Sequence, residues 1–262
     1  MSRDRIYALP QQQVGNFVFD EQVAEVFPDM LARSVPGYAS ILSMIEQLAA
    51  RFARPQTNIY DLGCSLGAAT MLIRAQAPRD CVIHAVDTSP AMVRRLQTAL
   101  AEPASAGPAQ GSALGRSPHS CCPVEVHLAD IRGFPLHNAS FVVLNLTLQF
   151  IPPTDRFGVL HAISQALSAG GALLLTEKIC FANTAEQELL TELHHDFKRA
   201  HGYSDLEIAQ KRTAIENRLI TETLPAHMDR LREVGFDVIV PWFQCFNFVS
   251  ILAIHGPADP DA

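Results

Sequence analysis

Asp61-Leu62-Gly63-Cys64-Ser65-Leu66-Gly67 is the stretch that decides the fold. Before it, Asn58 to Leu62 reads as a short buried strand. After it, Ala68 to Ala77 is rich in good helix formers. A strand, a small-residue turn and a helix in that order place the turn at the carboxyl end of a strand, where doubly wound sheets bind ligands. Glycine there lets the backbone turn sharply and approach a ligand. A dinucleotide fold would ask for G-x-G-x-x-G. Here Ser65 takes the second glycine position and the third glycine is out of register, so a ligand without a pyrophosphate fits better.

Working outward, the same punctuation repeats. Cys81 to Val86 is a second strand ending at Asp87, with a helix starting near Ser89-Pro90. Val124 to Leu128 is a third, ending before Asp130, and Ser140 to Leu148 a fourth, strongly apolar one. Thr154 to Leu167 reads as a helix closed by Gly170-Gly171, and Ala172 to Thr176 as a fifth strand. Val238 to Val240 and Phe246 to Ile254 read as an edge hairpin. Strands and helices alternating at this spacing predict an α/β, doubly wound, mostly parallel seven-stranded sheet. Around it, residues 16–53 form an N-terminal helical cap, with Pro28 interrupting its first helix. Residues 183–234 form an inserted helical lid. Residues 103–122 form a flexible surface loop, because fourteen of the eighteen positions from 103 to 120 are Ala, Gly, Pro or Ser. The whole chain reads as a single domain.

Three strand ends therefore carry acids. Asp87 is suited to the two hydroxyls of a ribose and Asp130 to an adenine amino group, with the backbone of Ile131 at the ring edge; likeness to class I S-adenosylmethionine-dependent enzymes implies Asp61 near the methionine amine. Asn145 is polar inside an apolar strand. It is either a satisfied core amide or a ligand contact. The set looks like class I S-adenosylmethionine-dependent enzymes, and acids suit a cationic sulfonium. The Asn-Pro-Pro-Tyr of many amino-group methylases is absent at the fourth strand.

Composition excludes other classes. Hydrophobic residues make up 48% of 262, so a large core forms, yet no apolar run reaches the length of a membrane span. Twenty Lys and Arg against 27 Asp and Glu give a net charge of -7, which argues against broad binding to nucleic acid. The six cysteines make no CxxC pair, and Met1 to Gln13 has no apolar core of an export signal, so reduced thiols in the cytoplasm are expected. His194-His195-Asp196 does not suggest a metal, since adjacent helical positions point about 100° apart. No metal is expected. Trp242, Phe243, Phe246 and Phe248 read as hairpin core, with no Lys or Arg among them to make a base-stacking surface.

Longer motifs carry a specific resemblance. Phe19 to Met30, Arg33-Ser34-Val35-Pro36-Gly37-Tyr38, Tyr60 to Thr70 and Asn145 to Phe150 resemble the carboxy-S-adenosyl-L-methionine synthase family. So do Gly170 to Leu173, His194 to Ala200, Gln210-Lys211-Arg212 and Trp242 to Phe248. Two departures stand out: the long 103–122 connection, and Thr88 where the family has Asn.

The resemblance implies an enzyme that turns S-adenosylmethionine and prephenate into carboxy-S-adenosylmethionine and phenylpyruvate. A separate tRNA carboxymethyltransferase then uses the product to make uridine-5-oxyacetic acid at the wobble position. It implies a homodimer, without direct nucleic-acid binding or membrane attachment. It also implies that cofactor contacts come from Tyr38, Asp61, Gly63, Cys64, Ser65, Gly67, Asp87, Thr88, Asp130, Ile131, Asn145 and Arg212. Arg212 would grip the product carboxylate through paired hydrogen bonds, and Tyr38 would donate its phenol hydrogen there. No protein base is required, because prephenate itself releases one. On composition alone, Arg212 is equally an exposed helix residue and Tyr38 the start of an apolar stripe. An ordinary methyltransferase, or a cofactor-binding partner without catalysis, remain the other readings. Whether Arg212 serves its own subunit or a neighbour is open.

Overall fold

The computed structural model describes residues 2–102 and 122–256. The predicted loop at 103–122 lies almost wholly outside the described residues. In chain order the helices are α1 (Glu21–Ser34), α2 (Tyr38–Phe52), α3 (Ala68–Gln76), α4 (Pro90–Ala101), α5 (Pro153–Ala166), α6 (Thr184–Ala200), α7 (Asp205–Ile215) and α8 (Leu224–Glu233). The strands are β1 (Asn58–Leu62), β2 (Val82–Asp87), β3 (Val124–Leu128), β4 (Ala139–Asn145), β5 (Leu167–Cys180), the two-residue β6 (Glu222–Thr223), β7 (Val238–Cys245) and β8 (Phe248–Ile254).

The main sheet runs β3-β2-β1-β4-β5-β8-β7, and β6 pairs β5 off that path. β1 to β5 are parallel, while β8 is antiparallel to both β5 and β7. This is the seven-stranded, mostly parallel sheet expected, with its hairpin at one edge. The order reverses at β1, so the carboxyl ends of β1, β2 and β4 open a crevice there. Both faces are covered. One core cluster joins Leu62, Leu144, Leu160 and Leu231; the other joins Ile41, Ile45, Ile73 and Phe141.

Four boundaries differ from the sequence reading. α1 is continuous through Pro28, because its amphipathic face still buries Val23, Val26 and Met30. β4 stops at Asn145, where Leu146 turns to φ 61° and a single 3-10 turn, Leu148–Phe150, follows. Gly170-Gly171 does not separate helix from strand: β5 begins at Leu167 and runs through both, with the β4–β5 register shifting nearby. α8 belongs to the sheet rather than the lid, since Leu231 and the following Val234 and Phe236 enter the main core.

From the rest of the insertion, α7 joins a cover over the turn after β1. Phe17, Val23, Met30, Met92 and Ala214 form one cluster with Leu66 against it, so the N-terminal segment, α1 and α7 pack over the first turn. Arg33 fastens this cover. Its guanidinium donates to the carbonyls of His201 and Gly202 at 2.7 Å each and stacks on Tyr203. Among the described residues no helix is long and apolar enough to cross a membrane.

Candidate functional site

The turn after β1 is built by its backbone. Gly63 and Cys64 N–H groups both donate to the carbonyl of Val86, at 2.8 and 3.0 Å. Gly63 has φ +82°, and a Cβ there would lie 2.3 Å from Thr147 Oγ1, so the loop after β4 is pressed against it. Gly67 has φ +80° and caps α3, with Leu96 occupying the space a side chain would need. Ser65 takes φ 50° between them. Cys64 is buried and its thiol is pushed up by burial, so it serves as packing and not as a nucleophile.

Asp61 ends β1 with almost no exposure. Thr70 donates its hydroxyl to Asp61 Oδ2 at 2.5 Å. Burial raises the carboxyl to about 6, with Asp87 adding to the rise and Thr70 opposing it. A cationic amine is the partner that would return Asp61 to its ionised form. Tyr38 opens α2 on the same side. Its phenol is held well above its ordinary value by burial first and Asp61 second, so it remains a donor.

Asp87 closes β2 and is held by backbone N–H groups of the loop around it, that of Thr88 among them. Ser65 N–H donates to Oδ2 at 2.9 Å and Ser89 N–H to Oδ1 at 2.8 Å. Burial raises its carboxyl despite these bonds. Thr88 beside it is exposed at the rim. Asp130 stands beyond β3 as expected, but Arg132 holds both its oxygens, at 2.6 to 3.1 Å, and links on to Asp155. That guanidinium lowers the Asp130 carboxyl. Ile131 is buried next to it. Asn145 ends β4, and its buried Oδ1 has no hydrogen-bond partner among the described residues. An acceptor left without a donor in so dry a place fits a ligand contact better than a core amide.

Four residues beside this crevice escaped the sequence reading. Glu177, wholly buried near the end of β5, accepts from Leu148 N–H at 2.9 Å and so fixes the loop beyond Asn145. Burial raises it to about 8, against the pull of Arg156. Next to it, Lys178 is tied by its backbone N–H to Gln149 Oε1 at 2.9 Å. Its amine is lowered by burial and then by Arg212. Lys198 of α6 is lowered to about 7 by burial, Lys178 and Lys211. Lys211 is lowered to about 8 by burial but retains Ser34 Oγ at 3.1 Å and Asp4 at 3.8 Å. Among the described residues no carboxylate pairs with Lys178 or Lys198. The visible signal was Glu177-Lys178, two charges ending the apolar run Leu173-Leu174-Leu175.

His194 is a packing residue: its ring meets the Ser34 carbonyl at 2.8 Å and the edge of Phe248, and burial lowers it. Arg212 is not brought against Tyr38, Asp61 or Asn145 in the single chain. Its side chain is 66% exposed, with Glu216 at 3.9 Å.

A family described as a methyltransferase domain matches residues 59–171. Curated relatives match almost end to end. Carboxy-S-adenosyl-L-methionine synthase of Cronobacter sakazakii is 50% identical over 256 residues, 97% of this chain and 98% of that one. The protein of the same name from Pseudomonas putida is 52% identical over 252 residues, 96% and 98%. The chain belongs to the carboxy-S-adenosyl-L-methionine synthase family. Solved structures agree on the fold. Magnesium protoporphyrin IX methyltransferase from Synechocystis with SAH bound superposes at TM-score 0.56 and 13% identity, covering 87% of each chain. Human N-acetylserotonin methyltransferase in complex with SAM gives 0.55 and 16%, covering 90% of this chain and 55% of that one. The sheet is thus that of the S-adenosylmethionine-dependent methyltransferases.

Proposed function

We infer that this enzyme, which by family makes carboxy-S-adenosyl-L-methionine from S-adenosyl-L-methionine, draws the new carboxyl group from prephenate. The observation that carries the reading is the pairing of opposite environments. Acceptors without a donor cation, Asp61 and the Asn145 oxygen, lie at the carboxyl ends of β1 and β4, and part-buried amines lacking an anion lie near the end of β5 (Lys178) and beside it on α6 (Lys198). A sulfonium amino acid suits the first set and a dicarboxylate the second.

The chemistry balances without a protein base. Prephenate aromatises by releasing carbon dioxide and hydroxide, leaving phenylpyruvate. The hydroxide takes a proton from the sulfonium methyl and becomes water. The electron pair left on that carbon attacks the carbon dioxide, forming one C–C bond and a carboxylate. The chain's task is to hold both substrates close, exclude water and stabilise charge. The cover built from α1, α7 and the N-terminal segment supports water exclusion. Tyr38 donates to the new carboxylate and Arg212 grips it. The exposure of Arg212 favours delivery to the site of a second copy, in a homodimer. Within the cytoplasm, the product passes to a tRNA carboxymethyltransferase.

Purified protein incubated with S-adenosylmethionine and prephenate tests this. Mass spectrometry should find the carboxylated cofactor and phenylpyruvate in equal amounts. Turnover that is indifferent to prephenate would overturn the reading. A methylated acceptor in its place would mark an ordinary methyltransferase.

A further inference from the structure

His84 lies on β2 directly opposite Glu125 on β3, and His127 follows Glu125 by two residues, hence on the same face of its strand. Three side-chain atoms converge there. His84 Nδ1 is 3.2 Å from His127 Nε2 and 3.5 Å from Glu125 Oε2, and His127 Nε2 is 3.8 Å from Glu125 Oε2. Zinc bonds of about 2.0–2.2 Å in a tetrahedron place ligand atoms about 3.3–3.5 Å apart. A proton shared between the rings accounts for the first distance alone. The carboxylate oxygen is too far from either ring nitrogen for a good hydrogen bond, yet nearly equidistant from both.

The imidazoles are also held in place. Tyr60 stacks on His84, with centroids 4.9 Å apart and planes at 19°, and Phe134 lies 4.9 Å from His127. The Tyr60 hydroxyl is itself fixed by the His137 carbonyl at 3.0 Å. Preset rings reduce the ordering cost of ligation.

We propose that His84, Glu125 and His127 bind one divalent transition-metal ion, zinc by geometry, as a clip across β2 and β3. Glu125 is exposed, so water completes the coordination. The site is separate from the chemistry. His84 and Asp87 are three residues apart on one strand and so face opposite sides of the sheet. The clip instead braces the strand pair whose ends carry Asp87 and Asp130.

Full-length protein stripped with a chelator and titrated with Zn²⁺ against a chromophoric competitor tests this. Binding of one ion per chain, tighter than ~1 μM, is expected, together with a higher thermal midpoint. Co²⁺ should give the intense visible bands of a tetrahedral site. His84→Gln and His127→Gln should each weaken binding by at least ~100-fold while leaving S-adenosylmethionine affinity unchanged, which also shows that the variants are folded. Sub-stoichiometric or weaker binding in the wild type overturns the proposal. So does equal binding by the double variant, which would place the ion elsewhere.

Discussion

Replacing Asp87 by Asn isolates the cofactor contact from the carboxylate contact. The Asp87 carboxylate accepts Ser65 N–H at 2.9 Å and Ser89 N–H at 2.8 Å, and the Thr88 N–H also bonds to it. A carboxylate offers about four acceptor positions, so one remains for a ribose hydroxyl. Asn turns one oxygen into a donor that faces another donor. It therefore removes one loop bond and one ligand bond. A hydrogen bond to a charged group contributes about 1.5–3 kcal/mol, so the ligand part alone weakens binding about 10- to 150-fold. The loss should be equal for S-adenosylmethionine and its carboxylated product, because the ribose is common to both. Calorimetric titration of each ligand measures it, and thermal unfolding without ligand separates the loop bond. Unchanged affinity for S-adenosylmethionine, or a loss confined to the carboxylated form, would refute this placement of the ribose.

Arg212→Ala should weaken carboxy-S-adenosylmethionine far more than S-adenosylmethionine, measured by the same titrations; equal losses would remove the carboxylate role. At S-adenosylmethionine too dilute to fill the Asp87→Asn site, mixing Arg212→Ala with Asp87→Asn should raise activity above either variant alone, since mixed dimers then hold one complete site; no gain would place Arg212 in its own subunit. Burial and its lysine neighbours lower Lys198 to about 7, so it loses its proton as pH rises through that value. The KM for prephenate should then climb above pH 7, and the pH dependence should flatten in Lys198→Gln. Asp61, raised to about 6 by burial, keeps a proton when folded that the unfolded chain releases near 4. Its stabilising contribution is full below about pH 4 and is lost as pH rises through 6. Asp61→Asn should remove that fall from the thermal-midpoint profile while weakening cofactor binding.

The placement of the strand-end residues was legible because its signals are local. Asp61, the Gly63–Gly67 turn and Asp87 sit at strand ends bounded by residues that punctuate the chain, and Ser89-Pro90 marks the next helix start. Asn145 stood out as polar within an apolar run, and its unpartnered oxygen gives it a purpose. The two lysines proposed to meet an anion were not legible. Lys178 and Lys198 are twenty positions apart, on a strand and a helix, and only the packing of α6 beside β5 makes them neighbours without a counter-charge. The His84–Glu125–His127 cluster was hidden for the same reason, since β2–β3 register alone brings it together. Gly170-Gly171 misled because a glycine pair that ends a helix reads the same as one that relieves a bulge within a strand. Asp130 stands past β3 where the strand punctuation puts it, but its grip by the Arg132 side chain two residues away was not legible in the sequence.

The central claim is that carbon from prephenate ends on the sulfonium methyl. Its most direct test supplies prephenate with a heavy-carbon label in the ring carboxylate and S-adenosylmethionine with a fully deuterated methyl. The account predicts a carboxylated cofactor that retains two of the three deuterons and carries the heavy carbon in its new carboxyl group. An unlabelled carboxyl group, or a methyl that leaves sulfur with all three deuterons, would contradict it.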